Sequence, residues 1–252
     1  MISNDSPDQF SDIASAHHPT LGSAAGWPLV LYFHHVHPEI SHYTALGEKE
    51  FESGLRLLLE YFAAYDPAQL LSAPEVDPPS DPSVLITFDD GYRDNFDRAR
   101  TLLDRCGIRA VFFVITDRMG ERSADPRQDH MSWEQCDALA AEGHVIAAHS
   151  ASHTRLDLLP EDQARREVAS SLARVQERYG HRRRLFAYPY GMVPHSNVVP
   201  DDTIAFGTVR SRPQPWAACP QSIRRTYLPV QHPLEWEVLV ENWSQQWHRV
   251  SR

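Results

Sequence analysis

The chain has 252 residues, with 24 Lys and Arg against 34 Asp and Glu, a formal net charge of −10. That balance argues against a nucleic-acid surface, and the length suits one α/β barrel with a substantial core. The 3 cysteines, Cys106, Cys136 and Cys219, form no C-x-x-C pair and read as idle thiols in a reducing compartment.

Residues 1–25 are polar and acidic, with neither a basic n-region nor an apolar h-region, so they do not read as a secretory signal. No apolar run approaches bilayer length, and the expectation is a cytoplasmic chain without stable membrane insertion. We read 1–26 as a polar tail and 27–252 as a single domain. Short apolar runs predict strands over 29–33, 84–88, 110–115, 145–148, 185–188, 204–209 and 223–228. Helical periodicity falls near 48–64, 93–106, 133–142, 161–179 and 234–247. Ser132 and Gln135 read as a capping box, Pro160 suits a first helical turn, and Cys106-Gly107 reads as a helix stop. The proline-rich stretch 73–83 reads as a surface linker, and the polar segment 118–130 as a loop over one rim. Alternation of strand and helix predicts a mainly parallel sheet, open or closed, whose ligands sit at the C-terminal ends of the strands.

One strand, Val84-Leu85-Ile86-Thr87-Phe88, ends in Asp89-Asp90-Gly91. Two carboxylates at one strand tip repel, and one would keep its proton unless a cation offset the charge. Further on, Ala147-Ala148 leads into His149, and His153 follows at i+4, a spacing that aims two imidazoles at one point on a helical turn or on a tight strand exit. One carboxylate with two imidazoles makes a facial set of N and O ligands and leaves the second aspartate free to take a proton.

Thr87-Phe88-Asp89-Asp90-Gly91, then His149-Ser150-Ala151-Ser152-His153, then Phe186-Ala187-Tyr188-Pro189-Tyr190-Gly191 resemble, in order and spacing, the polysaccharide deacetylase family (carbohydrate esterase family 4). The third motif resembles the branch of that family carrying the FAYPYG form. The resemblance implies a deformed (β/α)7 barrel and a metal-dependent hydrolase that removes an acetyl or other acyl group from the amide nitrogen of an N-acetylated sugar or glycoconjugate. By position it implies that Asp90, His149 and His153 hold a divalent metal. Zn²⁺ is the default, and Fe²⁺, Co²⁺ or Ni²⁺ are compatible with the same ligands. It further implies that Asp89 is the general base for attack of metal-activated water, and that the backbone N–H of Tyr190 helps bind the oxyanion.

Two departures from the family pattern stand out. Ala187 occupies the place of an arginine that orients the base, and Arg210 is a candidate replacement for its charge. The histidine that many relatives use as general acid has only His232, followed at once by Pro233, as a counterpart. The first strand offers another candidate in Tyr32-Phe33-His34-His35, similar to the opening of the FAYPYG branch, with His34 preferred and His35 second. His17, His18, His37, His42, His181 and His248 read as surface residues and His144 as a shaper of strand entry. Trp216 is the tryptophan to test as a sugar platform. Competing readings are a metal-free glycosidase built on the paired acids, a hydrolase of non-sugar amides or cyclic imides, and a sugar-binding homologue with impaired catalysis.

Overall fold

The computed structural model describes residues 19–72 and 77–249. His17, His18 and most of the expected tail lie outside the described residues, as do residues 73–76 of the expected linker.

Six strands form one curled sheet in the order of the chain: β1 (Leu29–Phe33), β2 (Ser83–Phe88), β3 (Ala110–Val114), β4 (Val145–Ala148), β5 (Arg184–Ala187) and β6 (Thr203–Phe206). Every pairing is parallel, and a two-residue strand, Ala63–Ala64, adds to the start of β2. β1 to β4 are buried at every residue, which is why they read as unbroken apolar runs and not as alternating ones. The strand period of two sorts their side chains. Val30, Leu85, Val111, Phe113 and Phe206 fill the inside of the curl, whereas Leu31, Phe33, Ile86, Phe88 and Phe112 face the outer helices.

Those helices are α1 (Glu48–Tyr61), α2 (Arg100–Arg105), α3 (Trp133–Ala141), α4 (Glu161–Tyr179) and α5 (Trp236–Trp247). α1 stops at Tyr61, short of the expected 64, because Phe62 turns to extended backbone and its N–H closes on the Leu58 carbonyl. The region expected as a helix over 93–106 starts with a π-turn, Asn95–Ala99, before α2. This wider turn brings the Asn95 amide to the His34 carbonyl, 2.9 Å away. The capping box of α3 forms as read, with Gln135 N–H donating to Ser132 Oγ and Ser132 N–H to Gln135 Oε1.

The strand expected over 223–228 is instead a strap. Ile223 pairs with Phe206 on one sheet edge and Thr226 with Leu31 on the other, each as an isolated parallel bridge. Because the segment crosses from edge to edge, it is in register with each for a single residue. Four backbone hydrogen bonds anchor it: Ile223 N to Ala205 O (2.9 Å), Gly207 N to Ile223 O (2.8 Å), Thr226 N to Val30 O (2.8 Å) and Tyr32 N to Thr226 O (3.0 Å). The curl is thereby closed into a single-domain α/β barrel: the alternation of elements left the parallel sheet open or closed, and the deformed barrel is what the resemblance implied. Residues 19–26 run against α5, with the Pro19 carbonyl accepting from Thr226 Oγ1 (3.0 Å) and Trp243 Nε1 (2.9 Å).

Candidate active site

Four non-glycine residues among those described have positive φ: Asp90 (70°), Ser150 (63°), His153 (66°) and Tyr190 (60°). All sit just past the C-terminal ends of β2, β4 and β5. Left-handed backbone costs about 1–3 kcal/mol per non-glycine residue, so it persists only where neighbouring contacts over-determine it. They do so here. Ser150 Oγ accepts the His153 N–H at 2.9 Å, and the Gly91 carbonyl accepts the Met131 N–H at 2.9 Å. Gly191, itself at φ 64°, packs so tightly that a Cβ there would lie 2.2 Å from Thr208 Oγ1. The tight strand exit, not a helical turn, is what aims the two imidazoles.

Asp90 Oδ1 lies 3.3 Å from His149 Nε2 and 3.2 Å from His153 Nε2, and one donor atom of each residue falls within 4.8 Å of the others. These contacts are close but not oriented as hydrogen bonds, and Asp90 Oδ1 is buried without a hydrogen-bond partner. His149 Nδ1 is 2.9 Å from the Ala187 carbonyl. A carbonyl only accepts, so Nδ1 carries a proton and Nε2 is the ring nitrogen left facing Asp90. An unpartnered buried carboxylate oxygen between two converging imidazole nitrogens fits a divalent cation with one O and two N ligands. Burial would raise the Asp90 carboxyl, but the two imidazoles outweigh it and hold the group well below the usual carboxylate range.

Asp89 has a different partner. Arg225 Nη1 donates to Asp89 Oδ1 at 2.6 Å and Nη2 to Oδ2 at 2.7 Å, with the guanidinium 0% exposed. Arg225 also donates to Thr87 Oγ1 and to the Gly207 carbonyl, and its guanidinium sits 5.0 Å from the centre of the Tyr32 ring. Burial would raise Asp89, yet the Arg225 charge holds it below its ordinary value, so it stays ionised. Arg210 is not the replacement charge: it is exposed on the loop after β6, in the field of Asp157. At Ala187 only the carbonyl takes part, on His149. The sequence did carry a signal for Arg225, since two arginines inside the apolar run Ile223 to Leu228 demand an internal partner.

His34 Nε2 faces Asp90 Oδ2 at 3.9 Å, and its Nδ1 meets Thr44 Oγ1 at 2.6 Å. Thr44 in turn reaches His42 Nδ1 at 2.8 Å, so exposed His42 belongs to the surroundings of the site. Burial pushes His34 down to about 4, against the opposing pull of Asp90 and Asp89. His35 is directed elsewhere, 3.0 Å from Asp94 and stacked on Tyr92. His232 is exposed ahead of α5, 3.6 Å from Glu235. Trp216 is no sugar platform: it is buried against Trp27, Tyr65 and Phe206. The Tyr190 ring is exposed and lies 4.6 Å from the His153 ring.

The fold and the carboxylate–imidazole cluster define an α/β barrel with a candidate metal centre at its C-terminal mouth. Residues 77–201, which hold Asp89, Asp90, His149, His153 and Tyr190, match the family model for Polysaccharide deacetylase. Through this segment, just under half of its length, the chain matches the polysaccharide deacetylase family. A protein of Bacillus subtilis (strain 168), YxkH, assigned to the polysaccharide deacetylases, is 30% identical over 146 residues, 57% of this chain and 50% of its own. The chain therefore spans about half the length of that curated relative. Among solved structures, IcaB from Ammonifex degensii superposes with a TM-score of 0.69 at 26% identity, covering 89% of this chain and 100% of that one. The Streptococcus pyogenes deacetylase PplD, solved with acetate, gives a TM-score of 0.68 at 20% identity, covering 84% of this chain and 96% of that one, a likeness of fold.

Proposed function

We propose that the protein is a metal-dependent hydrolase that removes an acetyl or other acyl group from the amide nitrogen of an N-acetylated sugar or glycoconjugate, in the FAYPYG branch of its family. The observation that carries this reading is the convergence of Asp90, His149 and His153 beside a second carboxylate that is kept ionised by Arg225.

Asp90, His149 and His153 would hold the metal, Zn²⁺ by default. When bound, a divalent cation supplies Lewis acidity that polarises an acyl carbonyl and acidifies water. The remaining work belongs to the chain. Asp89, with Arg225 on one lone pair of each oxygen, keeps its other lone pairs to accept a proton from the attacking water. The Tyr190 N–H, fixed by its left-handed turn, donates to the oxyanion, a contribution commonly worth about 3 kcal/mol. His34 delivers a proton to the leaving nitrogen, with Thr44 holding its ring from behind. Burial holds His34 down to about 4 in the free protein, so this role requires negative charge developing on the substrate, added to the pull of Asp90 and Asp89, to draw a proton onto its ring.

The metal-free glycosidase fits less well. Such a pair needs one carboxyl raised to act as an acid, whereas Asp89 and Asp90 are both lowered. The direct test is acetate release from a panel of N-acetylated sugars, with and without chelation. Acetate that disappears with chelator and returns with Zn²⁺ supports the reading, and activity that survives chelation refutes it.

A further inference from the structure

Beside the Tyr190–Gly191 turn lies a cavity of about 430 Å³, lined by Gly191, Met192, Arg210, Arg212, Gln214 and Ser222 among others. Its wall is the loop after β6, and that loop is fixed from within. Arg224 donates to the carbonyls of Val209 and Ser211, Arg225 Nε donates to Gly207 O at 2.7 Å, and Ser211 Oγ meets Ser222 Oγ at 3.1 Å. The strap that orients Asp89 thus also holds this wall, and Gly191 pressed on Thr208 joins the wall to the strand tips of the candidate active site.

The charge of the cavity is distinctive. Arginines near the mouth are neutralised elsewhere: Arg155 by Asp157, Arg118 by Glu121, Arg225 by Asp89. Arg210 and Arg212 make no hydrogen bond and no ion pair with any other described residue, and the acid whose field reaches Arg210, Asp157, is already taken by Arg155. In a chain of net charge −10, two exposed guanidiniums without an ion-pair partner among the described residues line one cavity and make a local focus for anions. Their planar forks match the oxygens of phosphate and carboxylate.

We propose that this cavity is an anion subsite, and that the substrate sugar carries a phosphate or carboxylate group held by Arg210 and Arg212 while its acylated nitrogen lies at the Asp90, His149 and His153 centre. The proposal rests on the deacylase reading for the position of the nitrogen only.

Equilibrium binding tests it with three probes: N-acetylglucosamine 1-phosphate, an N-acetylhexosaminuronic acid and the neutral methyl glycoside of N-acetylglucosamine. Each is titrated into the wild type and into Arg210→Gln/Arg212→Gln. One anionic probe should bind the wild type at least about ten-fold more tightly than the neutral glycoside, as expected for a charge-assisted contact. That preference should vanish in the double variant and in roughly 0.5 M salt, with neutral binding and metal content unchanged. Which probe responds tells phosphate from carboxylate. Neutral and anionic probes binding alike, or a preference that survives the double substitution, would overturn the subsite. Because the readout is binding, the two readings fail separately. A preference lost in the variant, with no acetate released from any probe, keeps the subsite and refutes the reaction. Equal acetate release from neutral and charged probes, unchanged in the variant, does the reverse.

Discussion

Arg225 and Asp89 stand 136 residues apart in the chain, yet inside the barrel both guanidinium Nη atoms meet both carboxylate oxygens, at 2.6 and 2.7 Å. A fully buried, bidentate pair is a matter of geometry as much as of stability, because both charges have been taken out of water to make it. What the pair secures is the orientation and the ionisation of Asp89.

Removing Arg225 leaves an uncompensated buried carboxylate. Arg225→Met should destabilise the fold by about 3–5 kcal/mol in denaturant melts, and Asp89→Asn/Arg225→Met should recover much of that loss. Additive losses in this double-mutant cycle would mean that the two groups do not depend on each other.

His34 and Thr44 form the next testable pair. His34→Ala should lower kcat about 10²–10⁴-fold with metal content intact, the span expected for loss of a general acid. Thr44→Val removes the hydroxyl 2.6 Å from Nδ1 and should lower kcat more mildly with KM unchanged. Near-normal turnover in His34→Ala would take the acid role away from it.

Trp216→Ala separates core from platform. A buried tryptophan stacked on Trp27 should cost about 3–5 kcal/mol of stability when truncated, with KM for any substrate unchanged. A stable variant with a raised KM would restore the platform reading.

His144 sets a pH dependence. Burial, reinforced by Arg109, holds it down to about 4 from an ordinary 6.5, while its Nδ1 accepts the Ala110 N–H at 3.1 Å. Between those values the unfolded chain binds a proton that the folded chain refuses. Stability is therefore complete above pH 6.5 and falls as the pH drops toward 4, by on the order of 3 kcal/mol at most. His144→Asn, which keeps an acceptor, should flatten that slope, and urea melts across this range measure it.

Much of this arrangement is legible in the chain. β1 to β4 announce themselves as buried apolar runs, and the three motifs end on strand tips where the paired acids and the two imidazoles converge. What escapes a linear reading is long-range pairing. Ile223 to Thr226 has the composition of a strand, but its role as a strap follows from two sheet edges that only the closed barrel brings within its reach. The arginines in that run demanded an internal partner, but which acid Arg225 would meet was hidden for the same reason, and the family pattern pointed to Ala187 and Arg210 instead. His34 and His35 are adjacent and alike in sequence. The strand period sends one toward Asp90 and the other toward Asp94, and only the register of the fold says which.

The central claim is that Asp90, His149 and His153 cage a divalent ion. Elemental analysis of the wild type and of Asp90→Asn, each loaded with Zn²⁺, desalted and checked for folding by circular dichroism, tests it most directly. The account predicts one ion per wild-type chain and loss of that ion in the folded variant. A wild type that holds no metal, or a variant that keeps it in full, would contradict the account.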